Sequence, residues 1–65
     1  MLLNKKAICL LMSKKCWNVG ELLKNSGVTS YTFYRGLHSG VTPKYAGKLA
    51  RALDVDVEEI IIMED

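Results

Sequence analysis

An all-α fold of five short helices is what this chain predicts, on three observations. Ala46, Leu49, Ala50 and Leu53 recur at i, i+3, i+4 and i+7, the spacing of one helix face. A residue able to cap a helix stands before four of the five segments, and three of those caps have an apolar pair at the spacing of a hydrophobic staple. A glycine at position 27 separates two segments that read as a pair of short helices. With 65 residues and 49% hydrophobic content, residues 1–65 form one globular domain near the lower size limit for folding without disulfide or metal.

The first helix is expected from about Leu3 to Lys15. Leu3, Ala7, Leu10 and Leu11 share a stripe that Ile8 and Met12 widen. Lys14 and Lys15 fall in the last turn, where cations suit the helix dipole. Lys5 and Lys6 face outward, for solubility or for a phosphate. Cys16 and Trp17 link to the second helix, which Asn18 caps. Glu21 completes a capping box, and Trp17 and Leu22 make a staple. Gly20 in its first turn weakens it by about 1 kcal/mol relative to alanine. The turn Ser26-Gly27-Val28 ends it, glycine supplying a positive φ without steric cost.

Thr29 caps the third helix, about 29–38, with Val28 and Phe33 as its staple. This helix turns Phe33, Gly36 and Leu37 one way and Ser30, Tyr31, Tyr34, Arg35 and His38 the other. A loop, Ser39-Gly40-Val41, follows, with a helix stop at Gly40. Thr42 as cap and Pro43 at the first helical position open the fourth helix. After the connector Asp54-Val55, Asp56 caps a fifth helix, Glu59 closes its capping box, and Val55 and Ile60 form a staple. Ile60 to Met63 is apolar on every side, more than so short a helix buries by itself. The surplus, Ile62 and Met63, is with the loop before the fifth helix the expected dimer surface. Glu64 and Asp65 are expected to fray.

Charge is divided along the chain. Residues 1–51 hold all nine Lys and Arg and the single acid Glu21, about +8, whereas residues 52–65 hold six acids and no base, about −6. This suits a basic working surface with an acidic end held away from it; ordinary solvated helix faces are the alternative. Cys9 and Cys16 form no CxxC, and one histidine does not complete a zinc site with them, so no metal or cofactor is expected. They read as reduced thiols filling small apolar positions. His38, the single histidine, has no nucleophile arranged with it, and the acids cluster at the far end, so an enzyme is not expected. Asn4-Lys5-Lys6 interrupts any leader, and Ala7 to Met12 is too short to span a bilayer, which points to the cytoplasm.

The outer face of the third helix is polar, aromatic and basic, and carries no acid. A helix offering such a face after a glycine turn is a candidate DNA-reading helix. Two stretches carry a wider resemblance: N-V-G-E-L-L-K-N-S-G-V-T, and T-P-K-Y-A-G-K-L-A-R-A-L-D-V-D-V-E-E-I-I. In order and spacing the chain from Ile8 to Ile62 resembles the Cro and repressor type (XRE-like) of helix-turn-helix regulators of phages and bacteria. The resemblance implies a compact five-helix repressor-like DNA-binding domain with its helix-turn-helix at helices 2 and 3. Base-facing positions of that family match Ser30, Tyr31 and Arg35. Backbone-facing positions match Asn18 and Val19 at the start of the scaffold helix, Thr29 at the next cap, and His38, Thr42 and Lys44 around the following loop. Many relatives carry Gln where this chain has Val19, alanine where it has Leu23, and a large aliphatic residue where it has Gly36. The last two departures are expected to compensate, Leu23 filling the volume that Gly36 leaves.

Arg35 can grip the O6 and N7 of guanine with its planar fork, worth about 1–3 kcal/mol of discrimination. Ser30 can bond either base type, and Tyr31 can reach a phosphate or press on a thymine methyl. Tyr34, Lys44 and Lys48 are expected at the DNA backbone, where contacts position without reading sequence. One such module covers only about 600–1,000 Å² of protein surface, so a homodimer on double-stranded DNA is expected, with no small-molecule ligand and no membrane. The rival reading is a protein-interaction module of the same fold that binds another regulator.

Overall fold

The computed structural model describes residues 1–62. Asn4 decides where the first helix begins: its side-chain oxygen accepts the Ala7 N–H at 3.1 Å, one of the orphan donors of a first turn. Helix α1 therefore runs Lys5–Lys15, not from Leu3. Leu2–Leu3 instead forms a short strand, β1. Within α1 the buried side chains are Ile8 and Met12, with Leu11 half-buried, while Leu10 stands 60% exposed. The nearly continuous apolar run from Ala7 to Met12 fits two phasings of the stripe, and packing selects the one through Ile8 and Met12.

Helix α2 is Val19–Ser26. Its capping box is made as expected: Glu21 N–H donates to Asn18 Oδ1 at 2.9 Å, and Asn18 N–H donates to Glu21 Oε1 at 3.1 Å. Gly27 ends it at φ 74°, its N–H returning to the Leu23 carbonyl at 2.9 Å. Helix α3 is Ser30–His38, with Thr29 Oγ1 accepting the Thr32 N–H at 3.3 Å. Helix α4 is Pro43–Leu53 and buries Ala46, Leu49, Ala50 and Leu53, the face its spacing predicts. Thr42 caps α4 through its backbone; its side chain makes no capping hydrogen bond.

Among the described residues, the expected fifth helix is absent. Val57–Glu59 is a single 3-10 turn, and Ile61–Ile62 forms a second strand, β2. The strands pair antiparallel, Leu2 opposite Ile62 and Leu3 opposite Ile61. The cap signal at Asp56 is real but local: Asp56 N–H donates to Glu59 Oε2 at 3.1 Å. Three consecutive isoleucines are stiff at χ1 and suit a pleated strand better than a helix. Of the expected partner surface, Ile62 is exposed on β2, and Met63 lies outside the described residues, as does the acidic tail.

Leu3, Ile8, Leu22, Leu49 and Ile60 are the largest fully buried side chains, and with Phe33 of α3 they join β1, the four helices and the end of the 3-10 turn in one core. The radius of gyration, 10.4 Å, is close to the roughly 11 Å of a folded chain of this length. Helix α4 packs against α2, α1 and the 3-10 turn, while α3 packs against β1. A Cβ built on Gly36 would come within 2.7 Å of Leu3 Cδ1 and nearer still to Val41 Cγ1. The atoms nearest to that Cβ thus belong to Leu3 and Val41, and not to Leu23, the residue expected to compensate. Neither cysteine fills a core position: Cys9 and Cys16 are both exposed, and Cys16 closes α1 in the left-handed conformation, φ 57°.

Candidate nucleic-acid interface

The turn between α2 and α3 is three residues long, and the groups at it are tied locally. Val28 N–H donates to Ser26 Oγ at 3.4 Å, and Thr29 Oγ1 donates to Thr32 Oγ1 at 2.9 Å. Val28 and Phe33, the staple pair, are both buried. Phe33 and Gly36 face the core, which turns the opposite side of α3 to water. Ser30, Tyr31, Tyr34, Arg35 and His38 are all exposed, Tyr31 to 73%.

These five side chains line one shallow concavity together with Ser39. No carboxylate stands on α3 itself. The Tyr34 ring meets the Phe33 ring edge-on, centroids 5.3 Å apart at 70°, so Tyr34 is steadied by the core while keeping half its surface free. Tyr31 has the freer ring of the two. Arg35 also lines a second cleft, between α3 and the start of α4, with Thr32, Thr42 and Tyr45. Arg35 therefore joins the two concavities, and Thr42 reaches the site through the second.

The remaining expected backbone contacts lie outside these two concavities. Asn18 commits its side-chain oxygen to the capping box, leaving its NH2 as a donor. Thr29 commits its hydroxyl to Thr32. Val19 is half-buried and packs against the core, offering no polar group. Lys44 is exposed, and Lys48 lies over the Tyr45 ring at 5.6 Å. Tyr45 is not among the residues that the sequence pattern marks for the site. It flanks the Ala46–Leu49 stripe, is half-buried against the core, and lines the second cleft beside Arg35 and Thr42. The exposed hydroxyls and amides, one guanidinium and two part-free aromatic rings form a surface able to donate to acceptors and to lie against flat apolar edges.

Comparison with models of known protein families, with curated proteins and with solved structures finds no match to this chain.

Proposed function

We propose that this chain binds double-stranded DNA sequence-specifically, as a small Cro/repressor-like transcriptional regulator, with α3 in the major groove. The single observation that carries the reading is the joint exposure of Ser30, Tyr31 and Arg35 on one acid-free ridge that follows a glycine turn. Arg35 reads guanine with two parallel donors, Ser30 bonds a neighbouring base edge, and Tyr31 lays its ring on a thymine methyl or its hydroxyl on a phosphate. Thr42 and Lys44 hold the opening of α4 to the backbone, with Asn18 doing the same at α2. The fold we assign is the repressor-like arrangement, with a strand in place of its last helix. Two copies on DNA would read two half-sites a helical turn apart.

The rival reading, an interaction module that binds another regulator, draws on Val19, whose apolar side chain sits where a polar backbone contact would serve DNA binding. A shift assay separates the two. After selection of sites from random duplexes, the selected site is expected to stay bound at a salt concentration that has already released random DNA. Release of both together at low salt would favour the interaction module.

A further inference from the structure

Leu10 is the most exposed aliphatic side chain among the described residues, at 60%. It stands on α1 in a groove of about 540 Å³ whose floor is completed by half-buried Ala7 and Leu11. Ser13, Lys14 and Glu59 form the rim, with Lys14 on α1 and Glu59 on the 3-10 turn. Lys14 and Glu59 make no ion pair among the described residues, where Lys15 and Asp54 form the one recorded pair at 2.8 Å. The groove lies where the basic part of the chain meets its acidic part, so beside an apolar floor it carries an ammonium and a carboxylate that, among the described residues, form no ion pair, the carboxylate accepting the Asp56 N–H through Oε2.

We infer that this groove is where a second copy of the chain docks, through a two-fold contact. A two-fold interface uses the same patch on both copies, so residue i meets j and j meets i. A patch with opposite charges on its rims satisfies that rule with itself: Leu10 of each copy enters the floor of the other, and Lys14 of each faces Glu59 of the other. Ile62, the other candidate, is one exposed side chain on a two-residue strand whose partner is already Leu2. The groove is smaller than a standard interface, which takes about 800 Å² per partner, so the dimer is weak and forms in the micromolar to millimolar range. This inference deepens the homodimer part of the proposed function and does not depend on DNA being the ligand.

Sedimentation equilibrium of the full chain without DNA tests it. The wild-type chain is expected to dimerise with rising concentration. Leu10→Lys should raise the dissociation constant at least about tenfold with the far-UV circular dichroism unchanged. Lys14→Glu alone and Glu59→Lys alone should each weaken self-association, and an equimolar mixture of the two should associate more tightly than either, because every facing pair is then opposite in sign. Glu59→Lys also removes a turn cap, so its dichroism is the control, and Leu10→Lys stands independently of it. A wild-type chain that stays monomeric would overturn both the groove and the homodimer. Dimerisation untouched by Leu10→Lys but lost in Ile62→Lys would overturn the groove alone. A mixture no tighter than its components would overturn the charge pairing that selects a second copy.

Discussion

Helices α4 and α3 have similar lengths, eleven and nine residues, yet divide the work of the molecule between them. Helix α4 spends four side chains on the core. Helix α3 buries only Phe33 and Gly36 and leaves five side chains in water. The first helix is held by its own apolar face. The second is held largely from outside its sequence, by Leu3 of β1 and by Val41, which close over Gly36. Its orientation therefore depends on pairing of the chain ends, Leu2 with Ile62 and Leu3 with Ile61. The lesson is that a displayed helix is cheap in core residues and demanding in supports.

The contrast makes distinct demands on substitutions. Leu49→Ala in α4, at a fully buried site, should destabilise the fold by about 2–5 kcal/mol in denaturant unfolding, which in a domain this small is enough to unfold much of the population. Arg35→Ala in α3 should leave the unfolding midpoint within about 0.5 kcal/mol of wild type, because Arg35 is exposed and makes no ion pair among the described residues. Its effect should appear instead as a loss of about 1–3 kcal/mol in discrimination between the selected site and one with the guanine replaced. A large stability loss in this variant would erase the division between the two helices. Gly36→Ala probes the support: the added Cβ presses on Leu3 and on the stiff Val41, and overpacking of this kind costs about 1–3 kcal/mol. Trimming Leu3 to alanine in the same chain should recover part of that cost, which a double-mutant cycle in urea would measure. The smallest effect belongs to Cys16→Gly, which relieves a left-handed non-glycine cap at the end of α1. Thermal unfolding should show a gain below about 1 kcal/mol, since the freer unfolded glycine offsets part of the relief.

Much of the fold was legible because its signals are local. The capping box of Asn18 and Glu21, the Gly27 stop, the Thr29 cap and the α4 stripe each lie within a few neighbouring residues, and all appear where the spacing puts them. The misread parts were decided at a distance. Asp56 and Glu59 carry a helix-start signature that a 3-10 turn also satisfies, and the isoleucines after it pair with Leu2 and Leu3 nearly sixty positions earlier. Periodicity within a window cannot report such a partner. The same holds for Gly36, whose nearest neighbours are Leu3, more than thirty positions earlier, and Val41. In the candidate site, the outward face of α3 followed from its own alternation of apolar and polar positions, whereas Tyr45 shares a cleft with Arg35 only across the loop that joins α3 to α4, a neighbourhood its own spacing does not report.

The central claim is that the exposed ridge of α3 is the DNA-contacting surface. Titration of the isotope-labelled chain with a selected duplex, followed by amide chemical shifts, tests it most directly. The largest shifts are expected at Ser30, Tyr31, Arg35 and the opening of α4 around Thr42 and Lys44, with smaller ones at Asn18. Shifts confined to Ala7–Lys14 and β2, with α3 unmoved at saturating duplex, would contradict it.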